Sequence, residues 1–139
     1  MTPEDINEWF VQQVELSMPL GVKTVACIGT GRGVKFNLER WVGAPIRDTA
    51  VLVDVAVVDA TDDAVDTLGQ IAKVVPSRIY ALVHSFEVGK SGFHKALEGY
   101  RMVHRAILVD TGLEIVFLLH SRRRTEPIEG SFSFFGQEQ

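Results

Sequence analysis

The residues with the most chemical promise lie between Ile79 and Leu97, where an apolar run leads into His84-Ser85-Phe86-Glu87-Val88-Gly89-Lys90-Ser91. An apolar strand followed by glycine, lysine and serine is close to a phosphate-binding loop, in which backbone amides and the lysine surround the phosphates. That motif needs a glycine where His84 stands, so that the chain can turn. Asp110, at the end of Ala106-Ile107-Leu108-Val109, would then supply the carboxylate for magnesium. The competing reading is a polar surface loop in which Lys90 meets a partner. Gly89-Lys90-Ser91-Gly92-Phe93 also approaches a nucleophile elbow, but Phe93 replaces the second glycine of that motif, which leaves Ser91 a loop or capping hydroxyl.

Gly29-Thr30-Gly31-Arg32-Gly33 resembles a dinucleotide fingerprint, which requires a glycine where Val34 stands and a helix beyond it. The alternation of Val34, Phe36 and Leu38 favours a strand instead, so the segment reads as a hairpin tip. His84, His94, His104 and His120 are too dispersed for a local metal site, and the single Cys27 cannot complete a thiolate one. Asp59, Asp62, Asp63 and Asp66 fall around the start of a predicted helix, where capping and the helix dipole account for them. The sequence therefore assigns no catalytic, cofactor-binding or metal residue, and no cofactor.

Composition sets the frame. A chain of 139 residues with 46% hydrophobic and 23% charged residues predicts a single α+β domain over 1–139. The net charge of -4 argues against sequence-independent or sequence-specific nucleic-acid binding through a basic surface. Apolar neighbours Val25, Ala26 and Ile28 make Cys27 a buried thiol. Met1-Thr2-Pro3-Glu4-Asp5 lacks the basic start of a signal peptide, and no apolar run reaches the roughly 20 residues of a membrane span, so the expectation is a cytosolic chain without membrane contact.

The elements follow from periodicity and breakers. Thr2 caps a helix from Pro3 to about Met18, with Ile6, Trp9, Phe10 and Val14 at helical spacing. Val22–Ile28 and Val34–Leu38 form a first hairpin. Ala50–Val58 is a valine-rich interior strand, Thr61 caps a helix with Val65, Leu68, Ile71 and Ala72 inward, and Ile79–Val83 is the next strand. Residues 87–97 are loop or short helix. Tyr100–Val109 and Leu113–His120 form a second hairpin about Asp110-Thr111-Gly112. The fold expected is an N-terminal helix with a mixed or antiparallel sheet of two hairpins around a central strand-helix-strand unit. Residues 121–139, with Pro127, Gly130 and Gly136, make an extended C-terminal arm.

This succession resembles the small tail-terminator, or tail-completion, proteins of long-tailed bacteriophages. The likeness lies in the helix, the glycine-tipped strand pair Thr24-Val25-Ala26-Cys27-Ile28-Gly29-Thr30-Gly31, the valine-rich strand leading through Asp62-Asp63-Ala64 into one helix, and strands including Tyr100-Arg101-Met102-Val103. The resemblance implies a non-enzymatic virion protein at the end of the tail, assembled in the host cytoplasm. It would form a ring, usually a hexamer, against tail-tube and neck proteins. Arg32 and the cluster Arg122, Arg123 and Arg124 would touch tube or neck, while Trp41, Phe132, Phe134 and Phe135 are aromatic candidates for subunit contacts. Two alternatives stand beside it: a small cytosolic binding module of the secretion-chaperone type, and a nucleotide-binding enzyme using the 84–91 loop.

Overall fold

The computed structural model describes residues 2–29, 46–47, 53–61, 63–110 and 112–123. The first element, α1 (Pro3–Ser17), begins as its sequence dictates. Thr2 Oγ1 accepts from the Asp5 amide at 3.2 Å, and the Asp5 carboxylate accepts from the Thr2 amide at 2.9 Å. This reciprocal capping box satisfies two amides that a helix start leaves unpaired. The same backbone hydrogen bond holds the Asp5 carboxyl below the ordinary carboxylate range. One stripe of α1, with Phe10, Val11 and Val14, is buried against the sheet.

Among the described residues six strands follow: β1 (Val25–Ile28), β2 (Ile46–Arg47), β3 (Val55–Asp59), β4 (Arg78–His84), β5 (Tyr100–Asp110) and β6 (Leu113–Arg122). They form one mixed sheet in the order β2-β1-β3-β4-β6-β5. The pairs β1–β2, β1–β3 and β3–β4 are parallel, whereas β6 is antiparallel to both β4 and β5. The mixed α+β class expected from sequence is therefore present, and β5 and β6 pair as expected about Gly112, whose φ of +80° suits the turn. The first hairpin is corrected. Both edges of β1 are occupied by parallel neighbours, and parallel strands cannot be joined by a tight turn. Val34–Leu38 itself lies outside the described residues.

The valine-rich segment is interior for the reason its composition suggested. Val55 and Val57 face α1, while Ala56, Val58 and Ala60 face the other side, so both faces of β3 are covered. That second layer comprises α2 (Ala64–Lys73) and two single-turn helices, α3 (Ser85–Val88) and α4 (Phe93–Ala96). Ala64, Leu68 and Ile71 are the buried stripe of α2, and Gly69 faces Ala96 of α4 with room for a Cβ. Asp63, not Thr61, occupies the N-cap of α2, because the Thr61 hydroxyl is engaged by Asp59. Segment 87–97, ambiguous in sequence, contains the last two residues of α3, a turn with Gly92 at φ +93°, and α4.

Two polar side chains are buried among the described residues, Glu87 and His120. Burial, with a smaller contribution from nearby His94, pushes the His120 imidazole down to about 4. A histidine free in the unfolded chain titrates near 6.5, so the unfolded state binds more protons between these values. The stability of neutral His120 is thus fully present above about pH 6.5 and lost as pH falls toward 4. Urea unfolding at pH 7 and pH 4.5 should show wild type losing about 2 kcal/mol more than His120→Gln. Equal losses in the two proteins would contradict this assignment.

Candidate ligand crevice at the strand carboxyl ends

From β1 the chain passes to β2 on one side, then returns to β3 on the other, so the connections diverge between β1 and β3. In parallel α/β sheets such a divergence opens a crevice outside the carboxyl ends of the strands, and ligands bind there. Gly29 directly follows β1 at this point, with φ +71°. A Cβ on Gly29 would stand 2.7 Å from the backbone oxygen of Asp59, the last residue of β3. Only glycine allows so close an approach with that backbone angle. Gly29 also opens the glycine-rich segment read from sequence as a hairpin tip. In the structure Gly29 itself leaves a central parallel strand, and residues 30–33 lie outside the described residues.

Asp59 contributes the charge. Its Oδ1 accepts from the Thr61 amide at 3.2 Å and from the Thr61 hydroxyl at 2.7 Å, which fixes the carboxylate in a small turn at the end of β3. The following residue is anchored as well, since the Ala60 amide donates to the Leu82 carbonyl at 2.8 Å. Asp59 pairs with Leu82 in register, so His84 ends the neighbouring strand two residues further along. Beyond it, the Phe86 ring stacks on His84 with centroids 5.3 Å apart.

Lys90 is committed locally. Its ammonium lies 2.9 Å from Glu87 Oε2 and 5.5 Å from the centre of the Phe86 ring. Chain direction also departs from a phosphate loop here, because β4 enters α3 at Ser85 without a glycine turn. His84 Nδ1 and Glu87 Oε1 are buried without a hydrogen-bond partner.

Of the interaction residues expected from sequence, Lys90, Arg122 and Arg123 are described. Arg122 and Arg123 are exposed at the end of β6, tied by their amides to the carbonyls of Ser77 and Gly99. They do not join Lys90 in one site: Arg123 lines a cavity beside α4 to which Lys90 does not contribute. Arg32, Trp41, Arg124, Phe132, Phe134 and Phe135 lie outside the described residues. Sequence reasoning considered Gly29 and Asp59 separately, as a turn glycine and a helix-flanking acid. Their junction is a product of parallel pairing, which neither residue advertises alone.

No protein-family model matches the chain, and no curated protein matches it. Solved structures do. TrmN from Thermus thermophilus superposes with a TM-score of 0.60 at 11% identity, covering 85% of this chain and 48% of TrmN. The chain thus spans about half the length of TrmN. Mtq2, from the E. cuniculi Mtq2–Trm112 complex responsible for methylation of the termination factor eRF1, gives a TM-score of 0.56 at 19% identity, covering 89% of this chain and 98% of that one. TrmK of M. capricolum, solved with S-adenosyl-homocysteine, gives 0.57 at 10% identity over 93% of this chain and 71% of TrmK.

These likenesses overturn the phage tail-terminator expectation. The ring at the tail end, its tail-tube and neck partners, its virion location and its non-enzymatic character all rested on an order of elements, and the strand pairing places that order in another fold. The structures that it resembles include a complex responsible for methylation and tRNA methyltransferases. At the level of fold, the chain, with its mixed sheet, is similar to these methyltransferase structures and to a protein of the NADB-Rossmann superfamily from Streptococcus agalactiae (TM-score 0.51, 11% identity).

Proposed function

We propose that this chain is an S-adenosylmethionine-dependent methyltransferase, with residues 1–139 acting as a single domain that binds the cofactor in the crevice between Gly29 and Asp59. The close approach of Gly29 to the Asp59 backbone carries the reading. It brings a positive-φ glycine and a fixed carboxylate together at the topological switch point, where a nucleoside can meet main chain on one side and an anionic acceptor on the other. The residues present fit such a group. Asp59 is oriented by Thr61 and can accept from a hydroxyl or amino group, and Gly29 leaves room where a side chain would stand.

When bound, S-adenosylmethionine supplies a methyl group on a sulfonium centre, open to attack by an oxygen, nitrogen or carbon nucleophile. The chain's part is to hold the nucleoside at the strand ends, to fix its orientation through Asp59, and to close the floor of the crevice with β1 and β3. This replaces the expectation that no cofactor is used. Titration calorimetry of the full chain with S-adenosyl-homocysteine tests it. Binding in the micromolar range is expected, weakened about tenfold in Asp59→Asn. Asparagine keeps the Oδ1 acceptor for Thr61, so the variant should retain the fold while losing the charge. No heat at about 1 mM ligand would refute the proposal.

A further inference from the structure

A second cavity, of about 340 Å³, lies on the α4 side of the sheet. His120 lines it and pairs with Ile79 near the amino end of β4, whereas Gly29 and Asp59 lie at the carboxyl ends of β1 and β3. The cavity is therefore separate from the proposed cofactor crevice. Its size falls within the roughly 300–1,000 Å³ of small-molecule sites.

Its walls divide by chemistry. Phe93, Leu97 and Leu118 give an apolar floor continuous with the core. Arg101, Arg105, Arg123 and His94 stand around the opening, against one carboxylate, Glu98. Three guanidinium groups facing one acid leave an excess of positive charge in a protein whose overall charge is negative. Planar guanidinium forks match carboxylate and phosphate oxygens. At the inner end His120 is 7% exposed, and its Nδ1 is buried without a hydrogen-bond partner. A buried polar atom left unpaired is destabilising, and because this nitrogen is closed off, the side chain meets the cavity through its other atoms. Burial keeps this imidazole neutral near pH 7, which leaves Nε2 as the one ring nitrogen that a ligand could meet.

We propose that this cavity binds a small organic anion, a phosphate monoester or carboxylate with an apolar or aromatic body. The body lies on Phe93, Leu97 and Leu118, Arg101, Arg105 and Arg123 hold the anionic group, and His120 exchanges a hydrogen bond with the ligand. The apolar floor distinguishes this from a bare anion site, and the arginine rim distinguishes it from a purely apolar one.

Titration calorimetry of the full chain with phenyl phosphate, benzoate and inorganic phosphate tests the inference. Phenyl phosphate or benzoate should bind with a sub-millimolar Kd, and the tighter of the two assigns the anionic group. Inorganic phosphate should bind at least about tenfold more weakly. Arg105→Ala and Arg123→Ala change exposed side chains and should each weaken binding about tenfold. The imidazole signals of His120 should shift on binding while those of His104, which packs against Phe117 on the other face, stay in place. Asp59→Asn should leave this binding unchanged, so failure here and failure of the cofactor reading are distinguishable. Absence of binding by both organic anions, inorganic phosphate binding as tightly as either, or an affinity unaffected by Arg105→Glu would overturn the proposal.

Discussion

Gly29→Val should lower stability by about 2–4 kcal/mol and abolish binding of S-adenosyl-homocysteine. Two costs combine. The backbone at Gly29 has φ +71°, which a β-branched residue adopts only under strain, and the new Cβ would lie 2.7 Å from the Asp59 backbone oxygen. That oxygen belongs to an interior strand held by β1 on one side and β4 on the other, so it cannot swing aside as a side chain would. Relief requires the ends of β1 and β3 to separate, and this deforms the proposed cofactor crevice. Urea unfolding and calorimetric titration read the two effects independently. Gly29→Ala, with the same Cβ but less bulk, provides a folded comparison if the valine variant does not accumulate. Stability and binding both unchanged would mean that the close approach has no structural or functional weight.

Phe117→Ala should cost about 3–5 kcal/mol. Phe117 is fully buried on the α1 side of β6, with its ring centroid 6.0 Å from that of Phe10 on α1 and 6.0 Å from that of Tyr80 on β4. It joins the helix to two strands, and Tyr80 extends the connection by donating its hydroxyl to the Ser17 carbonyl at the end of α1. Truncation would open a cavity at this junction, and rigid neighbouring strands limit how far the site can collapse. The loss would be read as a lower urea midpoint, with Phe117→Leu expected to lose much less because it fills most of the space. A loss below about 1 kcal/mol for alanine would show that α1 does not depend on this contact.

Local chemistry made much of the fold readable from sequence. Thr2 and Pro3 announced α1, the apolar spacing through Leu68 and Ile71 announced α2, and the Asp110-Thr111-Gly112 turn announced the β5–β6 hairpin. Each signal depends on residues close together in the chain. Strand adjacency does not. The apolar run ending at Ile28 has the same composition whether its neighbour is antiparallel and immediate or parallel and distant, and only the latter makes Gly29 a crevice residue. The alternation of Val34, Phe36 and Leu38 then favoured the hairpin. An order of helix and strands is compatible with several sheet topologies, so it could not separate a phage ring protein from a methyltransferase-like domain. The cavity beside α4 was hidden for a similar reason. Arg101 and Arg105 come from β5, Arg123 from the end of β6, and His94 from a helix that the sequence left ambiguous.

The junction of Gly29 with Asp59 also bears on descent. Its tightest contact is between an absent side chain and a main-chain oxygen, so it specifies one residue type and leaves most neighbouring identities open. A lineage that kept this glycine and the parallel pairing behind it could replace nearly every surrounding side chain by others of suitable size without losing the shape. Such a geometry constrains sequence far less than an interdigitated side-chain contact would.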